Sequence, residues 1–208
     1  MRIDKNDLLL YAVTDRQWLG EASLAEQLEE AIQAGVTVVQ LREKELDFDA
    51  FVSLGKELQA VAKRHRIPFI INDAVDVALA LDADGVHVGQ SDMQAGDVRS
   101  RIGEGKILGV SAHSVEEALA AERNGADYLG VGAIYGTATK PDANTLSIET
   151  LQQICQAVSI PVVGEGNIRD LDGGGVDGVA VVSAIFAQPD ITAAVKRLRL
   201  LAEAMVQP

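Results

Sequence analysis

Several apolar runs in the chain stop abruptly at residues suited to holding a magnesium diphosphate. Val38-Val39 leads into Gln40-Leu41-Arg42-Glu43-Lys44, Phe69-Ile70-Ile71 into Asn72-Asp73, and Val86-His87-Val88 into Gly89-Gln90-Ser91-Asp92. Leu108-Gly109-Val110 ends in Ser111, and the run from Leu129 to Tyr135 ends in Gly136-Thr137-Ala138-Thr139-Lys140. Side chains on a strand alternate, so Gln40, Arg42 and Lys44 project to one side if the strand persists. They would then offer long hydrogen-bond donors to diphosphate oxygens. A carboxylate just past an apolar run is costly unless paired, solvated or metal-bound. Asp73 and Asp92 both stand there, and two carboxylates plus substrate phosphate oxygens are a usual protein share of a Mg2+ site.

Thr137, Thr139 and Lys140 bring two hydroxyls and an ammonium to one short loop, a good wrapping for phosphate. Gly164-Glu165-Gly166 and Val182-Ser183 form a second phosphate candidate, since barrels often hold phosphate between loops seven and eight. Each feature also has a plainer reading. The cations suit a solvated loop, Asn72 and Asp73 suit helix capping, Asp92 suits a loop turn and the glycines suit simple turn geometry. A lone Ser111 at a strand end is more often structural, and His87 inside an apolar run reads as a core or subsite histidine. Gly109-Val110-Ser111-Ala112-His113 lacks the second glycine of a hydrolase nucleophile elbow, and the threonine loop lacks the Walker pattern.

The segments between these polar ends must bring them together. Candidate strands are Leu8–Thr14, Val36–Leu41, Pro68–Asn72, Gly85–Gly89, Ile107–Ser111, Tyr128–Ile134, Pro161–Gly164 and Gly178–Ser183. They are short and rich in Val, Ile and Leu, as buried parallel strands are. Amphipathic stretches alternate with them: Ser23–Ala34, Phe48–His65, Val75–Leu81, Ala95–Ile102, Ser114–Asn124, Ser147–Ala157 and Ile191–Met205. The pattern predicts a single (β/α)8 TIM barrel over residues 1–208, with a doubly wound open sheet as the runner-up. Polar ends after successive strands favour a ring of loops. So do the similar steps before strands at Asp84-Gly85, Ala126-Asp127 and Asp177-Gly178. The short stretch from Gly166 to Gly178 breaks the rhythm and leaves helix seven short or absent.

Composition sets bounds. A chain of 208 residues suits one full core. A net charge of −13 argues against broad nucleic-acid or anionic-membrane binding, so positive charge for a phosphorylated ligand must be concentrated locally. No apolar stretch is long enough to span a membrane, and no secretory signal is legible at the N-terminus. The lone Cys155 excludes an internal disulfide, and a reduced, cytoplasmic setting is expected.

Taken together, the runs resemble the thiamine-phosphate synthase family. The matching segments are Tyr11-Ala12-Val13-Thr14-Asp15, Gln40 to Lys44, Ile71-Asn72-Asp73 and Ala83 to Asp92. Leu108 to His113, Gly130 to Lys140 and Val181-Val182-Ser183-Ala184-Ile185 extend the match over nearly the whole chain. The resemblance implies small-molecule substrates, joined into thiamine phosphate with release of diphosphate. One is hydroxymethylpyrimidine diphosphate; the other is hydroxyethylthiazole phosphate or its carboxylated form. It assigns Gln40, Arg42, Lys44, Asn72, Ser111 and Lys140 to the pyrimidine diphosphate, and Asp73 and Asp92 to Mg2+. It assigns Thr137, Thr139, Val182, Ser183 and a glycine, for which Gly166 is the substitute, to the thiazole phosphate. Arg42, Lys44 and Lys140 would act electrostatically, without a covalent nucleophile.

One departure stands out. Where the family usually carries a Gly-Ile-Gly-Gly-Ile-like loop, this chain reads Gly164-Glu165-Gly166-Asn167-Ile168. Glu165 would then put negative charge close to the thiazole phosphate. A thiazole tautomerase-like isomerase needs no diphosphate site, and a binding-only paralogue would keep the pyrimidine site alone. Arg42, Lys44, Asp73 and Asp92 together argue against the isomerase. Whether the chain forms a homo-oligomer is left open by the sequence.

Overall fold

The computed structural model describes residues 3–20, 22–90, 94–134 and 146–206. Its parallel strands close into a barrel in sequence order. They are β1 (Leu10–Val13), β2 (Val38–Leu41), β3 (Phe69–Asn72), β4 (Gly85–Val88), β5 (Ile107–Ala112), β6 (Tyr128–Ile134), β7 (Val162–Gly166) and β8 (Gly178–Val181). The helices are α1 (Leu24–Ala34), α2 (Phe48–His65), α3 (Val75–Leu81), α4 (Ala95–Ile102), α5 (Val115–Arg123), α6 (Ile148–Ala157), α7 (Ser183–Phe186) and α8 (Ile191–Met205). The open-sheet alternative is excluded by the pairing of β1 with β8. No described helix is long and apolar enough to cross a membrane.

Helix starts follow local chemistry. Ser23 and Glu26 form a reciprocal capping box at α1, and Asp47, Ser114, Ser147 and Asp190 accept from backbone N–H groups at the starts of α2, α5, α6 and α8. Between β7 and β8 stands only the 3-10 turn Ile168–Leu171, which fulfils the expectation of a short or absent helix there. Most strand ends differ from the sequence reading by one or two residues, and the changes at β7 and β8 bear on the site. β7 runs on to Gly166, and β8 ends at Val181, so Val182 and Ser183 leave the sheet and open α7.

Alternation along the strands sorts the core into two. Outward residues such as Val39, Leu41, Ile71, Val86 and Leu108 pack against the helices. Inward residues Val38, Ile70, Ile107 and Val163 pack with Leu8, Ile3, Tyr11 and Tyr128 inside the barrel. The interior is thus filled from below, and only its upper end is left for chemistry.

The steps repeated before strands have a common job. Asp84 Oδ2 accepts from Phe69 N–H at 2.9 Å, Asp127 Oδ2 from Leu108 N–H at 2.8 Å, and Asp177 Oδ2 from Val162 N–H at 3.0 Å. Thr37 Oγ1 accepts from Leu10 N–H at 2.9 Å in the same way. Each clamps the first residues of an odd strand to the start of the next, at the end of the barrel opposite the polar loops. Arg99 tightens one clamp by donating to Asp127 Oδ2 at 2.6 Å and to the Gly125, Gly103 and Lys106 carbonyls.

Asp127→Ala strips the acceptor from Leu108 N–H and from Arg99. Denaturant unfolding should show a loss of about 1–3 kcal/mol, with turnover per folded molecule unchanged. A loss too small to resolve would mean that the clamp adds nothing to stability.

Candidate active site

The upper end of the barrel carries a hydrogen-bonded chain across five strands. Gln40 on β2 donates from Nε2 to Tyr11 Oη on β1 at 2.9 Å. Tyr11 and Tyr128 share a hydroxyl–hydroxyl bond of 2.7 Å, joining β1 to β6 across the interior. Tyr128 Oη lies 3.0 Å from His87 Nδ1 on β4, and His87 Nε2 lies 3.0 Å from Ser111 Oγ on β5. Both tyrosines, Gln40 and His87 are buried. Burial pushes both phenols to higher pKa, and the Glu165 charge adds to this, so they stay neutral donors and acceptors.

One proton assignment satisfies both phenols. Tyr11 already accepts from Gln40, so its own hydrogen goes to Tyr128. The Tyr128 hydrogen then goes to His87 Nδ1, and His87 Nε2–H donates to Ser111 Oγ. The Ser111 hydroxyl hydrogen is thereby left for a group above it. Ser111 is half-buried at the mouth, and its carbonyl accepts from Gln90 Nε2 at 2.6 Å.

The rim holds the charges. Asp73 follows β3 in the left-handed region at φ 58°, a conformation that costs a non-glycine residue about 1–2 kcal/mol. Its carboxylate does not cap α3, whose N-terminus has no side-chain cap. Instead Lys44 Nζ reaches Asp73 Oδ2 at 2.8 Å, and Asn72 Nδ2 donates to Asp73 Oδ1 at 2.8 Å. The capping reading of Asn72 and Asp73 is therefore set aside. Arg42, in the loop after β2, is half-buried, its backbone N–H held by Thr14 Oγ1 at 3.1 Å. Arg16 engages the neighbouring Glu43 at 2.7 Å, which keeps that carboxylate occupied.

The expected alignment of Gln40, Arg42 and Lys44 is corrected in part. β2 stops at Leu41, so Gln40 points into the interior while Arg42 and Lys44 belong to the following loop. Gly166 ends β7 at φ 143°, where glycine is favoured, and Asn167 Oδ1 accepts from Arg169 N–H. Val182 caps α7, so Ser183 begins a helix whose first N–H groups have no intrahelical acceptor. Asp92, Thr137, Thr139 and Lys140 lie outside the described residues, as does Ser91.

Two participants escaped the sequence reading. Tyr11 and Tyr128 were legible only as apolar-run residues, although both fall on inward positions of their strands. Glu165 was expected near a phosphate in loop seven, yet β7 carries it in the sheet. A methyl group at Gly130 would meet Glu165 Oε1 at 3.1 Å and His87 Cε1 at 2.9 Å, so the carboxylate leans inward over Gly130.

The comparisons with known proteins agree with this geometry. A family model described as thiamine monophosphate synthase matches residues 10–185. The chain belongs to that family. It is 52% identical over 200 residues to the thiamine-phosphate synthase of Clostridium beijerinckii, covering 94% of this chain and 96% of that protein. It is 52% identical over 190 residues to the thiamine-phosphate synthase of Clostridium acetobutylicum, covering 89% and 90%. Among solved structures, thiamine phosphate pyrophosphorylase from Pyrococcus furiosus superposes with a TM-score of 0.89 at 38% identity, covering 98% of this chain and 99% of that one. The family membership and the barrel thus stand together.

A β-carbon at Gly109 would lie 2.5 Å from His87 Nδ1 and collide with the Tyr128 ring. Gly109→Ala should cost about 1–3 kcal/mol by overpacking and lower activity by breaking the Tyr128–His87 link. Thermal unfolding together with an activity assay checks both; unchanged values would mean that the interior adjusts freely.

Proposed function

We propose that the chain is a thiamine-phosphate synthase that transfers the hydroxymethylpyrimidine group from its diphosphate to the nitrogen of hydroxyethylthiazole phosphate, or of its carboxylated form. The reading rests above all on Asp73. A carboxylate held in a costly backbone conformation, turned from its helix towards Lys44 and Asn72, suits a site for a charged ligand better than a structural cap.

A hard-oxygen donor at the mouth fits Mg2+, which takes one or two carboxylates and completes its shell with phosphate oxygens and water. Asp73 and Asp92 would hold it. When bound, the ion would neutralise charge on the departing diphosphate. Arg42, Lys44 and Lys140 would hold the diphosphate oxygens and take up the same developing charge. Ser111, oriented by the interior chain, offers its hydrogen to the pyrimidine diphosphate. Asn72 offers its side-chain oxygen, since its amide is engaged by Asp73. Gln40 would act chiefly through that chain. Thr137, Thr139, Gly166, Val182 and Ser183 would hold the thiazole phosphate.

The carbon–oxygen bond to diphosphate breaks with its electron pair on the leaving oxygen. The aminopyrimidine spreads the positive charge left on its exocyclic methylene. The thiazole nitrogen lone pair then forms the new carbon–nitrogen bond, and the charge ends on the thiazolium; from the carboxylated form, the ring carboxylate then leaves as CO2, its bonding electrons staying on the thiazolium carbon. No protein nucleophile enters, so catalysis consists of positioning and electrostatics. A cytoplasmic setting fits this chemistry.

Diphosphate release should require both precursors and Mg2+, yield thiamine phosphate, and stop when the metal is chelated. Release without the thiazole would count against the transfer. Pyrimidine diphosphate binding without turnover would identify a binding-only protein.

Asp73→Gly separates chemistry from folding. Relief of the left-handed strain should leave stability level or raise it by up to about 1–2 kcal/mol, while turnover falls about a hundredfold or more. Full turnover in this variant would remove Asp73 from the site.

A further inference from the structure

Glu165 is a carboxylate inside the ring of strands that the reaction outlined above leaves unused. It stands on β7, where it pairs with Ala180 of β8. It is half-buried, and its neighbours on β6 are Gly130 and Gly132. A β-carbon at Gly132 would lie 2.5 Å from Glu165 Cβ, so no side chain fits there, and one at Gly130 would press on the carboxylate at 3.1 Å from Oε1. The space above these two glycines is therefore what admits the carboxylate to the mouth. The same point above Gly130 is 3.3 Å from His87 Nε2, and Gly130 pairs in register with Ser111. Glu165, His87 and Ser111 thus share one wall of the mouth, directly above the neutral tyrosine pair. Arg42, Lys44 and Asp73 occupy the ends of β2 and β3, away from β7 in the closed order of strands.

Among the described residues, cations that suit a diphosphate stand after β2 and an inward-facing carboxylate stands on β7, with Ser111 between them in strand order. A substrate that ionises into a diphosphate and an organic cation would find each fragment facing the opposite charge. We propose that Glu165 is a catalytic residue of the transfer, its carboxylate facing the aminopyrimidine and stabilising the positive charge that develops there as the carbon–oxygen bond breaks. This rests on the synthase reading above. The carboxylate acts as a hydrogen-bond acceptor and forms no covalent bond. It accepts a hydrogen bond from the exocyclic amine, whose N–H groups grow more acidic as the ring takes up charge. That interaction is dispersed when the thiazole nitrogen attacks and the positive charge moves to the thiazolium.

The ground state predicts a distinctive signature. Before ionisation the pyrimidine ring is neutral and the diphosphate is negative, so an anion nearby does not help binding. Its benefit appears only in the transition state, which raises turnover rather than affinity.

The test compares the unaltered chain with Glu165→Gln, a neutral side chain of the same shape. Turnover is measured with both precursors and Mg2+, and pyrimidine diphosphate affinity by calorimetry without the thiazole. The Gln variant should lose at least about tenfold in kcat, while its Kd for pyrimidine diphosphate stays level or tightens. A purely structural role would weaken both together. Turnover within about threefold of the unaltered chain, or a loss confined to affinity, overturns the assignment while the synthase reading stands. No turnover by the unaltered chain overturns both. If the Gln variant unfolds early, Glu165→Asp carries the test, because it keeps the charge but withdraws it by one methylene. It should lose kcat at unchanged Kd, and full kcat would refute the proposal.

Discussion

Two tyrosine hydroxyls 2.7 Å apart in the middle of a closed barrel constrain almost everything around them. Neither can be hydrated there, so each must find its partners in the protein. Gln40 supplies one side and His87 the other, which locks together strands distant in sequence. The glycine at position 109 follows from this, since any side chain there would occupy the space of the Tyr128–His87 contact. A fully satisfied polar chain of this kind favours one arrangement of the strands over near alternatives, because a slipped register would strand several buried groups at once. It also fixes the direction of a hydrogen at the mouth, on Ser111.

The two ends of the barrel handle polarity differently. At the lower end, Thr37, Asp84, Asp127 and Asp177 spend their side-chain oxygens on backbone N–H groups, and their work is finished once the chain is folded. At the upper end, Asp73 gives up the helix cap that its position invites and accepts a costly backbone conformation instead. The same residue type thus serves backbone N–H groups at one end and a cluster of polar side chains at the other. The end at which a carboxylate stands, and whether the backbone consumes it, distinguishes scaffold from site.

Much of this was legible in the amino-acid order. Buried parallel strands are written as short Val, Ile and Leu runs, and the helices as the amphipathic stretches between them. The recurring steps at Asp84, Asp127 and Asp177 betrayed a repeat, and the crowding between Gly166 and Gly178 foretold a missing helix. What stayed hidden depends on neighbours far along the chain. The partnership of Tyr11 and Tyr128 spans 117 positions. Glu165 turns inward because Gly130 and Gly132 on another strand make room. β2 also stops at Leu41 and β8 at Val181, so Gln40 parted from Arg42 and Lys44, and Val182 and Ser183 left the sheet for α7.

The lower clamps carry one more implication. Each joins an odd strand to the even strand that follows: β1 to β2, β3 to β4, β5 to β6 and β7 to β8. The ring is therefore assembled from four strand pairs, each stapled at its base, with the seams between pairs held by ladder and helix packing. Circular permutants divide along the same lines. A chain reopened between β4 and β5 keeps every staple within a continuous segment, whereas one reopened between β5 and β6 must form the Asp127 staple between its two new ends, at a greater cost in chain entropy.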